Sequence, residues 1–357
     1  MKLGVTSSNK TVRISSESNN RHIVIYGESG TGKSTRTKLI IEDAAIQGKT
    51  IIVFALENDS FKKDDGRINH IDLLKEGINL SLLNDGSDEK KSGAQIEYIK
   101  ALITGSENFG CRQVDALRTA IEYAIDKRSE NQTELEAIKE GLDDQGSTVA
   151  KGVKSKLWAL LESDVLKKSG KSIVSGCINI IDLGGIAESV QTTSIELILG
   201  IIWRQAKLKG EKNTNNKEEV LIFLDEFQRL IVKRNSVINA ILEQGRKYEI
   251  TMMLATQSTS YVSKALEDHL NGTSISLYFK PNKNDPEKFA KLIDSEKVEH
   301  YTAKLKSIKK GESYVTGKIT IDGQEYDKPL LIRSYCKVAT NGGQKMKTIL
   351  IEGPKIR

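Results

Sequence analysis

Apolar and polar positions along the chain fall into two rhythms. Short, nearly continuous apolar runs lie at residues 23–26 (Ile23, Val24, Ile25, Tyr26), 50–56, 177–183, 220–224, 251–255 and 274–280. Their length and β-branched content suit strands buried on both faces of a parallel sheet. Between them the apolar residues recur at helical spacing over 35–48, where Leu39, Ile40, Ala44 and Ile46 share a face and Gly48 stands as a C-cap, and again over 186–209, 285–294 and 297–310. The last third closes with a hairpin of 312–321 against 328–335. Strands alternating with helices predict an α/β fold built on a mainly parallel sheet.

The middle of the chain departs from this alternation. Residues 93–104, 112–125, 133–142 and 153–166 all carry helical spacing, joined by charged, glycine-containing stretches at 105–110 and 143–152. They predict an all-helical insertion, 86–170, within a discontinuous core of 1–85 and 171–340, followed by a basic tail of 341–357. Residues 61–84 mix polar turns with short apolar pieces and read as an ordered connection; residues 1–20 are too polar to make a domain of their own.

Charge changes this picture little. In 357 residues, 54 Lys and Arg against 48 Asp and Glu leave +6, which permits a polyanionic partner without demanding one. Cys111, Cys177 and Cys336 are widely spaced, without a C-x-x-C pair, and read as reduced core thiols of a cytoplasmic protein. The first twenty residues are polar and Ser-rich, unlike a secretory leader, and the longest apolar patch, 195–203, contains Glu196 and is too short to span a bilayer. Work at a membrane would need a partner.

Chemistry enters with Gly27-Glu28-Ser29-Gly30-Thr31-Gly32-Lys33-Ser34, which fits G-x-x-x-x-G-K-[ST] without a mismatch. A polyphosphate is held by backbone N–H groups at a helix start, and glycine lets the chain come close enough. Thr35 continues the loop into the helix; Lys33 would reach the outer phosphates and Ser34 a magnesium ion. The run ending in Asp225-Glu226 closes a buried strand, where ligands bind in open parallel sheets, so Asp225 is a candidate metal ligand and Glu226 a candidate base. A helix N-cap is the other reading of that pair. Gln257 ends the next strand and either senses a γ-phosphate or is a surface glutamine. Arg246 ends the helix before it, as a solvated cation favoured by the helix dipole or as a finger reaching a neighbouring subunit's nucleotide.

Together, the P-loop, Leu224-Asp225-Glu226-Phe227, Gly245-Arg246 and Leu254-Ala255-Thr256-Gln257 resemble the HerA/FtsK group of ring-forming P-loop ATPases. The segment 109–120 with Gln113, the Ile180-Asp182-Leu183 region and 309–315 (Lys-Lys-Gly-Glu-Ser-Tyr-Val) are similar to the central domain of the HerA branch, and the likeness spans about residues 20–337. The resemblance implies a RecA-like P-loop NTPase core and ATP with Mg2+ as cofactors. It also implies a homo-oligomeric, hexameric ring with Lys33, Glu226, Gln257 and Arg246 in catalysis and Ser34 and Asp225 on the metal. HerA proteins carry a β-barrel ahead of the P-loop; about twenty-six residues precede Gly27 here.

The activity so implied is ATP-driven translocation of DNA without sequence preference, working with a nuclease or other effector subunit, in conjugation, chromosome processing or phage defence. Lys233-Arg234-Asn235 would line the pore or simply be solvated, and the tail with Lys345, Lys347, Lys355 and Arg357 would contact DNA or hang free. An aromatic content of 5% argues against base stacking as the main contact. A nucleotide-regulated scaffold for an effector, and a secretion-type motor with protein cargo, share the same motifs.

Overall fold

The structure is a computed structural model that describes residues 1–18, 21–56, 66–83, 93–104, 109–163, 165–210, 218–227, 236–257 and 275–335. The chain folds as two compact units. One holds Met1–Ile51, Glu218–Gln228 and Glu249–Arg357; the other holds Ile52–Lys217 and Arg229–Tyr248.

The first unit is built on a mixed sheet. Its strands are β1 (Lys2–Val5), β2 (Thr11–Ile14), β3 (Ile23–Tyr26), β7 (Val220–Leu224), β8 (Ile250–Thr256), β9 (Ile275–Tyr278), β10 (Glu312–Thr316), β11 (Ile319–Ile321), β12 (Gln324–Tyr326) and β13 (Leu330–Arg333). They lie in the order β12-β11-β2-β1-β13-β10-β9-β3-β8-β7. The parallel part runs from β9 to β7: β3 pairs with β8 (Ile23 with Met253, Tyr26 with Thr256) and with β9, and β8 pairs with β7 (Val220 with Ile250). Every residue of β3 is buried, as expected for a strand covered on both faces. Helices α1 (Lys33–Ile46), α9 (Pro286–Ile293) and α10 (Val298–Ser307) belong to the same unit, and α1 buries Ile40, Ile41, Ala44 and Ala45 while Ile46 is exposed.

Two antiparallel features were not expected. Residues 2–5 and 11–14 form β1 and β2, part of the sheet through Leu3, Val5 and Val12, with Val5 opposite Arg333. Each is only four residues long, and Lys2, Thr11 and Arg13 stand among the apolar ones, so the stretch looks polar although Leu3, Gly4, Val5 and Val12 are buried. In the C-terminal region β10 does pair with β13 (Glu312 with Arg333), but β11 and β12 intervene as a hairpin, and β11 turns aside to pair with β2. Asp322 and Gly323, at φ 50° and 89°, make the two-residue turn that joins them, the backbone an Asp-Gly hairpin requires.

The second unit contains most of β4 (Thr50–Ala55), with β5 (Ile68–Asp72) and β6 (Ile178–Asp182), in the order β4-β6-β5. β5, paired in parallel with β6, replaces part of the expected connection at 61–84; of its five residues only Ile71 is buried, which hides the strand from a search for apolar runs. Around these strands lie α2 (Gly93–Thr104), α3 (Cys111–Lys127), α4 (Glu134–Asp144), α5 (Thr148–Lys156), α6 (Trp158–Leu161), α7 (Glu188–Leu208) and α8 (Val237–Gln244). The helix expected at 153–166 is shifted and broken: Ser147 caps α5 by accepting from the Ala150 N–H, and the helix ends at Lys156. Buried Glu134, in the first turn of α4, accepts from the N–H groups of Leu82 and Leu83, from Ser81 Oγ and from Arg128 Nη1, fixing the preceding loop to the helices. Cys111 is exposed and Cys177 half-buried, so neither is the core thiol that its spacing suggested. Among the described residues no helix is long and apolar enough to cross a membrane.

Candidate nucleotide site

The loop between β3 and α1 makes a cradle in which backbone does most of the work. Gly32, at φ 110°, caps α1 in the left-handed region and supplies no side-chain acceptor, so the first-turn N–H groups of Lys33, Ser34 and Thr35 are left for a ligand. Glu28, Ser29, Gly30, Ser34 and Thr35 are exposed, whereas Gly27, Thr31 and Lys33 are buried. Lys33 Nζ donates to the carbonyls of Gly27 (2.6 Å) and Glu28 (3.1 Å), which lays its ammonium along the inside of the loop. Burial pulls the Lys33 pKa down, and the carboxylates of Glu226, Asp225 and Glu28 push back. Phosphate oxygens would act in the same sense as those carboxylates.

The rear of the loop is closed by two residues from the C-terminal part of the unit. A Cβ on Gly27 would stand 2.6 Å from Phe279 Cβ, and one on Gly32 would stand 3.0 Å from Gly311 Cα, so glycine is required at both places by contact as well as by φ. The Gly27 N–H donates to Thr256 O, the Glu28 N–H to Lys280 O, and the Gly311 N–H to Thr31 O at 2.8 Å.

Opposite the loop, the parallel order places β8 between β3 and β7, so that Gln257 and the Asp225-Glu226 pair follow the ends of neighbouring strands. Asp225 Oδ1 accepts the Glu226 N–H at 2.9 Å, and Glu226 itself takes φ 48°, a left-handed conformation that costs a residue with a side chain about 1–2 kcal/mol. Gln257 Nε2 donates to Glu226 Oε1 at 2.5 Å, steadying the carboxylate of the candidate base. The expected neighbourhood of Lys33, Ser34, Asp225, Glu226 and Gln257 is thus assembled within one unit.

A hydroxyl on Ser34 and a carboxylate on Asp225 form a hard-oxygen donor set that suits magnesium completed by phosphate oxygens. Among the described residues no group of three or more His, Cys, Asp or Glu makes a separate metal site.

Arg246 lies in the second unit, exposed, in a 3-10 turn Gly245–Tyr248 that continues α8. Lys233-Arg234-Asn235 and the basic tail fall outside the described residues. Three residues to which the sequence alone gave no role at the site, Phe279, Gly311 and Arg36, back the loop. Gly311 sits inside the segment 309–315 that carried part of the family resemblance, which was the one available signal; Arg36 gave none.

Comparison with known proteins agrees with this geometry. The family described as "Helicase HerA, central domain" matches residues 1–247, and "TraM recognition site of TraD and TraG" matches residues 219–333. No curated protein matches the chain. Among solved structures, VirB4 of Thermoanaerobacter pseudethanolicus superposes with a TM-score of 0.69 at 14% identity, covering 96% of each chain. The bacterial conjugative coupling protein TrwB superposes at 0.66 with 13% identity, covering 93% of this chain and 88% of that one. A further TrwB structure, in complex with ADP and Mg2+, gives 0.61 at 13% identity over 88% and 86%. These likenesses establish the α/β fold, and the match over residues 1–247 places the chain in the HerA central-domain family, a HerA/FtsK-type P-loop ATPase.

Proposed function

We infer that this chain is an ATP-hydrolysing motor subunit that assembles into a hexameric ring and moves DNA through it without reading sequence, in concert with a nuclease or other effector subunit. The observation that carries the reading is the trio at the strand ends of the first unit: the phosphate loop after β3, Gln257 after β8 and Asp225-Glu226 after β7, with Gln257 bonded to Glu226. On this reading ATP lies along the loop, its phosphates on the first-turn amides and Lys33. Ser34 and Asp225 would hold Mg2+, which would supply charge neutralisation at the phosphates. Glu226 takes the proton of the attacking water, and Gln257 holds that carboxylate in place while facing the terminal phosphate. Arg246 would act on the nucleotide of an adjacent subunit. The TrwB complex with ADP and Mg2+ supports the choice of cofactors.

The test is ATP turnover by the purified protein with and without duplex DNA, alongside Lys33→Ala and Glu226→Gln. Loss of nucleotide binding in Lys33→Ala, retained binding without turnover in Glu226→Gln, and stimulation by DNA are expected; turnover indifferent to both substitutions would refute the site. A secretion- or conjugation-type motor with protein cargo is the second reading. The fold likeness to VirB4 and to a conjugative coupling protein, and the TraD/TraG match over 219–333, favour it. ATP turnover stimulated by a protein partner and unmoved by DNA would select it.

A further inference from the structure

Among the described residues Arg36 is the largest side chain that is fully buried, at 0% exposure, and its hydrogen-bond partners are all neutral. It lies three residues beyond Lys33 in α1. Nη2 donates to Gly311 O (3.0 Å), Nη1 to Leu3 O (2.9 Å) and to Ser313 Oγ (3.3 Å), and Nε to Ser334 Oγ (3.1 Å). Burial draws its pKa down to about 9, which leaves it cationic at neutral pH. A buried charge without a carboxylate is expensive, and apolar residues of similar volume commonly serve stability as well or better.

What the guanidinium acquires for that cost is a grip on Gly311. The Gly311 carbonyl accepts from Arg36 Nη2 and from the Ser334 N–H (3.0 Å), while the N–H of the same residue donates to Thr31 O in the phosphate loop and its Cα lies against Gly32. Gly311 is at φ 83°, so its two peptide groups can face opposite ways, one toward the arginine and one toward the loop. The guanidinium also lies 5.5 Å from the centroid of Phe279, the ring whose Cβ backs Gly27. Both contacts that close the rear of the loop therefore end on one side chain.

We propose that Arg36 is a positioning residue for nucleotide binding: acting through Gly311, it sets the curvature of the phosphate loop, and its loss is felt as weaker binding of the phosphates. The proposal rests on the reading of residues 27–35 as a nucleotide site. Arg36 hydrogen-bonds to Leu3, Gly311, Ser313 and Ser334 and to neither Glu226 nor Gln257, so it governs KM and leaves kcat alone.

The experiment measures ATP hydrolysis kinetics and binding of a fluorescent ATP analogue for the full chain, with melting curves to establish that each variant is folded at the assay temperature. Arg36→Lys keeps the charge and loses the fork. Ser334→Ala removes one partner of both Arg36 and Gly311, and Gly311→Ala strains the wedge at a position where a Cβ meets nothing closer than 3.9 Å. These two mild variants keep the test open if Arg36→Lys does not fold. Expected are a rise of about tenfold in KM and in analogue Kd for Arg36→Lys and Gly311→Ala, a smaller rise for Ser334→Ala, and kcat within about twofold of the parent. Arg36→Lys combined with Gly311→Ala should be little worse than either alone, because both act on one contact. Unchanged KM in folded Ser334→Ala and Gly311→Ala, or a fall in kcat at constant KM, would overturn the proposal. Lys33→Ala, run beside them, separates the two claims: if it too binds the analogue normally, the nucleotide site itself is misassigned.

Discussion

Glu226 combines two things that rarely coincide, a left-handed backbone and a side chain with a chemical task. Strain of this kind persists where the surroundings over-determine it, here through the Asp225 carboxylate below and the Gln257 amide beside it. Glu226→Gln leaves that backbone as it is, so its melting temperature should match the parent while turnover falls by at least about 100-fold; a substantial residual rate would show that another group takes the proton. Gln257→Glu sets a second carboxylate against the first in place of the donor, and a fall in kcat of about 10-fold or more with unchanged analogue binding is expected; parental kcat would mean that the Glu226 bond has no part in turnover. At this scale the phosphate loop, the carboxylate pair and the glutamine could all be picked out of the sequence as candidates, because each is a short local motif, and the strand order brings the three together. Arg36 was not. A long basic residue on a helix reads as solvated, and its partners at positions 3, 311, 313 and 334 are remote in the chain.

Strands that are continuous apolar runs announced themselves, and those interrupted by polar residues did not. β3, β7 and β8 are continuous apolar runs and were placed almost to the residue, whereas β1 and β2 are four-residue strands with Lys2, Thr11 and Arg13 among them and β5 buries only Ile71, so all three passed as polar segments. The β11–β12 turn carries its own test. Gly323→Ala places a methyl group at φ 89° in open space, so strain alone should lower stability, by about 1 kcal/mol, readable as a shift of the urea midpoint with ATP turnover unaffected. A midpoint that does not move would mean the turn is not built as described. The turn that carries Arg246 is held by Tyr248, whose ring meets Trp203 of α7 edge-on at 4.9 Å. If Arg246 serves an adjacent subunit, Arg246→Ala should bind nucleotide normally and hydrolyse about 1,000-fold more slowly, and mixing it with Glu226→Gln should restore some activity through the interfaces that remain intact. A helix-end cation would instead change stability by about 0.3–1 kcal/mol and leave the rate alone.

For the molecule as a whole, a ring that grips DNA through Lys and Arg without an aromatic platform should lose affinity steeply between about 50 and 200 mM salt and show no preference among sequences; a flat salt response would exclude a backbone-tracking pore. The path of the chain was the least legible property, since the first unit is visited three times, by residues 1–51, 218–228 and 249–357, and no local signal marks the returns. One of those returns sets a timetable. β1 takes its place between β2 and β13, and Leu3 shares the Arg36 guanidinium with Ser313 and Ser334, so residues 2–5 wait for residues made some 330 positions later. The second unit draws on 52–217 and 229–248 and is complete much sooner. During translation the phosphate loop is therefore on the growing chain long before its rear wall exists, and an interrupted chain ending near residue 300 should resist protease over much of 93–210 while leaving 1–51 open to cleavage and unable to retain ATP. On the proposed reading, ATP turnover would begin only once that wall is in place.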